Sequence, residues 1–301
     1  MSLQKEYRIY CQNHPVSIFQ SPEWLDMIDP HWKVLVVKEG SETLFFPYIL
    51  EKKIGFTFIR NAYLTPYAGW VYSGSDTSNP CYKNLVEQLI NKLPSFDIFN
   101  IDLHPNYSSL TNIPPFSITK KKTNLLELGD TALLYTNFKP ALQRQIKKAN
   151  RHLFIKEEND INLFYSLYEK TFLKQNQQTP IPHSFFKKAW NMLAVTKQGR
   201  LFFIHDEHSN THAALLLAYD HDTAYYLAGG TDAEFYGSGA MSALMWHAIQ
   251  ESCLMQKKYF DFEGSMLPNV DRFFKNFNPK EVSYLNLQKT QSLLFKLLKK
   301  K

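Results

Sequence analysis

Between residues 224 and 288 the chain alternates β-rich runs with helical ones around a glycine-dense turn. The stretch reads strand, turn, long helix, strand, short helix, strand, an order that points to an α/β layer architecture. The turn is Gly229-Gly230-Thr231-Asp232-Ala233-Glu234-Phe235-Tyr236-Gly237-Ser238-Gly239-Ala240. The helix after it is expected over about 238–255, with Met241, Leu244, Met245, Ala248 and Ile249 at a 3.6-residue period. Glycines at a helix mouth leave backbone N–H groups uncovered, and the helix dipole adds partial positive charge there. Together they favour an anion, most often phosphate. Gly229, Gly230, Gly237, Ser238 and Gly239 are therefore the donor-binding candidates. The bland alternative is a tight turn and a helix start with no ligand.

The chain has 301 residues, 44% of them hydrophobic and 15% aromatic, enough for two domains with substantial cores. A net charge of +6 suits anionic ligands without demanding nucleic acid. Cys11, Cys81 and Cys253 are far apart and form no CxxC. No disulfide framework or zinc site is expected, and a reducing compartment fits. Polar residues follow Met1, and compact apolar runs such as 213–218 are too short to span a bilayer, so no membrane insertion and a cytoplasmic location are expected. The His205–His208 and His221-Asp222 clusters offer no HExxH and no third ligand, so no metal is expected. No GxSxG or Walker motif supports a serine hydrolase or a P-loop enzyme.

In the first part, 33–38 (KVLVVK), 43–50 (TLFFPYIL) and 56–60 (FTFIR) read as strands of a meander. A helix is expected over 79–93, then strands over 96–103 and 120–128. Gly129-Asp130 marks the expected boundary between a domain over 1–130 and another over 131–301, whose terminal helix could pack back on the first. A helix over 137–152 carries Phe138, Leu142, Ile146 and Ala149 on one stripe and Arg144, Lys147, Lys148 and Arg151 on the other. Helices over 160–174 and 182–197 follow, then strands over 200–205, 211–220 and 223–227. After the long helix come a strand over 259–262, a helix over 269–277, a strand over 282–288 and a terminal helix over 291–300.

This element order resembles the GNAT acyltransferase fold. The GNAT signature Gln/Arg-x-x-Gly-x-Gly/Ala is similar to Glu234-Phe-Tyr-Gly237-Ser-Gly239, which departs at its first, acidic position. Phe260-Asp261-Phe262-Glu263-Gly264-Ser265 with Asp271-Arg272-Phe273-Phe274-Lys275-Asn276-Phe277 resembles the DFEGS…RFFKxF segment of the Fem-like branch. Arg144-Gln-Ile-Lys-Lys-Ala149, Phe19-Gln-Ser-Pro-Glu-Trp-Leu25 and Phe46-Pro-Tyr-Ile-Leu50 are similar to further pieces of that branch. The resemblance implies an α/β (α+β) protein of two tandem GNAT-like domains, each a mixed sheet flanked by helices. It implies N-acyl transfer from an acyl-CoA, or from an aminoacyl-tRNA as in Fem-type peptidyltransferases that act on a cell-wall precursor. The acceptor is then an amine, small or borne on such a precursor; the oligomeric state is left open.

N-acyl transfer needs a pocket for the donor, a group that steadies the carbonyl oxygen, and a base for the amine proton. The resemblance assigns Lys275 to the carbonyl or a phosphate, against its reading as an exposed lysine. Asp261 and Glu263 alternate with phenylalanines, so in a strand they share a face and are candidates for the proton transfer. Arg272, Ser265 and Tyr226 complete the substrate-binding candidates. Two rival readings stand beside this one. Glu234 suits a non-catalytic, degenerate GNAT binding module. The basic stripe at 144–151 suits an RNA-binding protein, with tRNA as its partner.

Overall fold

The computed structural model describes residues 1–108, 112–173, 177–263 and 268–298. The chain begins α1 (Leu3–Asn13), α2 (Pro22–Ile28), β1 (Lys33–Glu39), β2 (Glu42–Tyr48), β3 (Glu51–Lys53), β4 (Phe56–Arg60), β5 (Val71–Tyr72), α3 (Pro80–Asn91), β6 (Ile98–Asp102) and β7 (Ser117–Glu127). It continues α4 (Thr131–Asn137), α5 (Pro140–Ala149), β8 (Phe154–Glu157), α6 (Ile161–Leu173), α7 (His183–Thr196), β9 (Gly199–His205), β10 (Thr211–Tyr219) and β11 (Thr223–Thr231). It closes with α8 (Ala240–Leu254), β12 (Tyr259–Asp261), α9 (Pro268–Phe274), β13 (Lys280–Thr290) and α10 (Leu293–Leu298). Two compact units result, one from residues 1–122 with 283–301 and one from 123–282.

In the first unit, β1, β2 and β5 form an antiparallel sheet. A second, mixed sheet has the order β3-β4-β6-β13, with β4 and β6 parallel. The expected meander is thus split between two sheets. The second edge of β2 is taken by β5, which leaves no edge there for β3. Helices α1 and α2 were not foreseen, although Ser2 and Ser21 cap them and Pro22 opens the second. The core of this unit is aromatic: Trp24, Trp32, Trp70, Tyr7 and Tyr82 are all at most 2% exposed.

The second unit is built on the order β7-β12-β11-β10-β9-β8, in which only β11 and β12 run parallel. Strand β10 is buried from His212 to Ala218, as a strand covered on both faces must be. Ala213, Leu215 and Leu217 share a core with Ala243, Leu244, Ala248 and Ile249 of α8. Helix α8 is also packed by α5, so it buries residues around most of its circumference rather than the single stripe expected from its spacing. The helix expected over 137–152 is α5, shorter at both ends, and a separate helix that was not foreseen, α4, precedes it. Phe138 and Lys139 are extended, and Pro140 opens α5 because its missing N–H costs nothing in a first turn. Leu142, Ile146 and Ala149 of α5 are buried; Arg144, Lys147, Lys148 and Arg151 are exposed.

Strand β11 extends to Thr231, so Gly229 and Gly230 are strand residues and the turn begins at Asp232. The cause at Gly230 is steric. A Cβ there would overlap the main chain of Leu167 and Tyr168, because α6 lies directly on the strand.

Candidate active site

Strands β11 and β12 run together for three residue pairs only, Thr223–Tyr259, Ala224–Phe260 and Tyr225–Asp261. Beyond these, β11 continues to Thr231 and β12 stops. The two parallel strands therefore part at Tyr225 and Asp261. The β10–β11 register slips between Leu216 and Leu217, which pair with Ala228 and Tyr226, so Leu227 is the extra residue of a bulge. A bulge re-aims the side chains beside it. Here those are Tyr226 and the residues leading to Gly229.

Tyr226 is half-buried, with its ring edge-on to Phe274 at 5.6 Å. A Cβ on Gly229 would overlap its hydroxyl, so glycine at 229 makes the room that Tyr226 fills. Burial pushes the phenol pKa up, and the charge of Glu263 pushes it further. Tyr226 thus keeps its proton and has a carboxyl group for a neighbour.

The expected pair of carboxylates on one strand face is built differently. Phe260, Asp261 and Phe262 are all at most 2% exposed, so no polar outer face exists. The strand ends at Asp261, and Glu263 turns into the left-handed region at φ 52°. Asp261 Oδ1 accepts from Thr123 Oγ1 at 2.6 Å and from the Glu263 N–H at 2.8 Å. The second bond closes an Asx-type turn that holds Glu263 in its unusual conformation. The Phe262 N–H donates to the Asn124 carbonyl at 3.0 Å and fixes the segment from the other side.

Glu263 Oε1 is sealed from solvent and has no hydrogen-bond partner among the described residues. Burial raises the carboxyl pKa well above the usual carboxylate range, and the Asp261 charge adds to the shift. A buried, strained carboxyl with an unmatched oxygen is costly to keep, and such groups concentrate where proton transfer is done.

At the mouth of α8, Asp232 caps a 3-10 turn over Ala233–Ser238, and Gly239 at φ 80° feeds the helix. Each glycine here has its own reason. A Cβ on Gly239 would stand 2.5 Å from the Gln145 carbonyl oxygen, so glycine lets α5 approach the turn. Gly237 is exposed and nothing lies within 4 Å of where its Cβ would be, so open space faces it. Ser238 is half-buried, and its hydroxyl accepts from the Ala240 N–H at 3.2 Å. Lys148 of α5 donates to the Gly237 carbonyl at 2.6 Å and brings an ammonium to the turn. Glu234 is exposed, with its N–H on Asp232. An ammonium of α5 thus stands beside a turn whose Gly237 side is open.

The remaining candidates are more scattered. Lys275 is exposed and paired with Asp271 at 2.7 Å and Glu281 at 3.7 Å; Asp271 raises the lysine pKa most. Asp271 also accepts from Asn124 Nδ2 at 3.0 Å. Lys275 is thus linked through Asp271 and Asn124 to the Phe262 main chain, not directly to Glu263. Arg272 is exposed on α9. Ser265 lies outside the described residues. Sequence reasoning missed Thr123 and Asn124, which reach this segment from β7 with no local signal. It read Lys148 only as part of a basic helix face.

Residues 137–275 match the acetyltransferase (GNAT) domain family. Among solved structures the chain is similar to FemX, at 12% identity and a TM-score of 0.72, over 99% of this chain and 98% of that one. It is similar to L-PGS from Bacillus licheniformis at 11% identity and a TM-score of 0.57, over 98% and 94%. A tandem GNAT protein from the clavulanic acid biosynthesis pathway matches at 9% identity and a TM-score of 0.50, over 95% and 93%. No curated protein sequence matches the chain. At these identities the structural likeness is one of fold.

Proposed function

We propose that this chain, whose residues 137–275 match the acetyltransferase (GNAT) domain family and whose fold is similar to that of FemX, moves an acyl or aminoacyl group from a phosphate-bearing donor to an amine by direct attack. The donor's phosphates lie at Gly237, Ser238 and Gly239, with Lys148 beside them. Its carbonyl lies along β11 where that strand has left β12, so main-chain N–H groups near the bulge steady the oxyanion. The amine nitrogen attacks the carbonyl carbon. The C–N bond forms and the bond to the donor's sulfur or ribose oxygen breaks. Glu263, as carboxylate, takes the proton that nitrogen loses. Tyr226, protonated in the resting site, gives its proton to the departing sulfur or oxygen, and the proton that Glu263 has taken restores it. Asp261, held by Thr123, positions Glu263 through the main-chain bond. Lys275 and Arg272 offer positive charge to the substrates from the α9 side.

One observation carries this reading: the Glu263 carboxyl, raised in pKa and beside Tyr226, with a sealed oxygen that has no partner among the described residues. The test is turnover of acetyl-CoA, then of aminoacyl-tRNA, against a panel of amines by wild type and Glu263→Gln. Loss of turnover with retained donor binding supports the assignment. Failure of the folded wild type to bind either donor removes it and favours the non-catalytic module.

A second reading narrows the donor to aminoacyl-tRNA and the acceptor to a cell-wall precursor. It is supported by the fold likeness to FemX along nearly the whole of both chains. The exposed Arg144 and Lys147 on the same helix as Lys148, with Arg151 just past its end, also favour it, since they extend positive charge from the turn along α5. A steep fall in donor affinity with salt separates this polyanionic donor from CoA.

A further inference from the structure

The β3–β4 hairpin of the first unit turns through Ile54 and Gly55, at φ 51° and φ 75°. Positive φ at both turn residues is the geometry that favours Asn-Gly, and a β-branched residue there is a conformational outlier. Ile54 is also 85% exposed, so the chain accepts both backbone strain and a bare aliphatic side chain at one point. Lys52 and Lys53, just before it, are exposed. The one carboxylate of this strand, Glu51, is neutralised by Arg60 at 2.8 Å.

Helix α10 lies against the same hairpin. Phe295 packs edge-on against Phe56 at 5.1 Å and Phe58 at 5.9 Å, and Ser292 caps the helix. This anchor leaves Leu293 and Leu294 74% and 61% exposed, with Lys296 exposed beside them. No described helix is long and apolar enough to cross a membrane.

We propose that the hairpin tip and α10 form a docking surface for an anionic lipid bilayer. Ile54, Leu293 and Leu294 enter the boundary between headgroups and acyl chains, and Lys52, Lys53 and Lys296 meet the lipid phosphates. Charge complementarity selects this occupant. One isoleucine at a hairpin tip and a pair of leucines on a short helix are exposed, with Lys53 and Lys296 near them in the chain, a pattern unlike the lysine-poor core of a protein interface. This surface lies in the first unit and does not depend on the acyl-transfer reading of the second.

The experiment is co-sedimentation of the full chain with vesicles of phosphatidylcholine alone and of phosphatidylcholine with about a third phosphatidylglycerol, at about 0.1 M salt. Wild type is expected to bind the anionic vesicles and not the neutral ones. Ile54→Asn gives the turn the residue its geometry prefers, so the variant folds at least as stably; its binding is expected to weaken about tenfold. Lys52→Ala with Lys53→Ala is expected to weaken binding roughly thirtyfold. Lys147→Ala with Arg151→Ala, in the other unit, is expected to change nothing. The proposal is overturned if wild type ignores anionic vesicles, as it would were the surface to take an acidic protein. It is also overturned if Ile54→Asn binds like wild type, or if the α5 variant abolishes binding.

Discussion

Replacing Glu263 by Gln keeps the side chain's size and removes only its ability to ionise. A positioned general base contributes about 10²- to 10⁴-fold in rate. At about 1.4 kcal/mol per factor of ten, this corresponds to roughly 3–5.5 kcal/mol of barrier. The structure adds a second consequence, in stability, with a definite sign. The folded-state pKa of Glu263 is raised, by burial first and by Asp261 second. A raised acid contributes its full stability below the unfolded carboxyl value, about 4.3, and loses it as pH rises through the folded value. Glutamine suffers no such loss. The melting temperature of Glu263→Gln should therefore match wild type near pH 4–5 and exceed it increasingly toward alkaline pH. The activity of wild type should rise with pH as the carboxyl ionises, and the variant should lack that limb. The assays are initial rates of thiol release from acetyl-CoA, or of aminoacyl-tRNA consumption, across pH, with thermal melts in the same buffers. A variant that retains its rate within threefold refutes the base. A melting difference that does not change with pH refutes the buried, neutral carboxyl on which the base rests.

The glycines of the donor region should separate by role. Gly230→Ala drives a Cβ into the α6 main chain and should cost about 1–3 kcal/mol or more, seen as a lowered melting temperature. Gly237→Ala meets open space and should stay within about 0.5 kcal/mol in stability while weakening calorimetric binding of acetyl-CoA. Lys148→Ala should weaken the same binding and flatten its dependence on salt, with little change in melting, because its one bond to the Gly237 carbonyl is exposed. Lys275→Ala should leave the melting temperature nearly unchanged, its ion pairs being at the surface, yet lower kcat/KM at least tenfold if its ammonium meets the substrates; an unchanged kcat/KM removes Lys275 from the reaction.

Local signals in the sequence located most of the second unit. The helices expected over 160–174 and 182–197 match α6 and α7 closely. The helix after the glycines was also legible, but its environment was not: α8 is enclosed by α5 and by β10, a fact of tertiary packing. The same limit explains the glycines. Spacing marks all four alike, yet Gly229 makes room for Tyr226 and Gly230 for α6, while Gly239 makes room for α5 and Gly237 alone faces open space. In the first unit, the strands at 33–38, 43–50 and 56–60 were legible one by one. Their division between two sheets was not, because it depends on which strand reaches the free edge of β2.

Glu263 marks the boundary most sharply. Alternation with Phe260 and Phe262 finds the two acids and predicts a shared, outward face. The structure buries Asp261 and turns Glu263 by a local device, the Asp261 carboxylate accepting the N–H two residues on. That device depends on Thr123, 138 positions from Asp261 in the chain, whose hydroxyl fixes the carboxylate. Without it, the Asp261 carboxylate would lose a bond that fixes it, and the bond that offsets the strain of Glu263 would be held less firmly. Thr123→Val should therefore disturb Glu263 without touching it. Thr123→Ser, which restores the hydroxyl, should recover the pH profile of wild type. A Val variant with an unaltered pH profile would show that Glu263 is held by something other than Asp261, and the proton-transfer assignment would then need a different support.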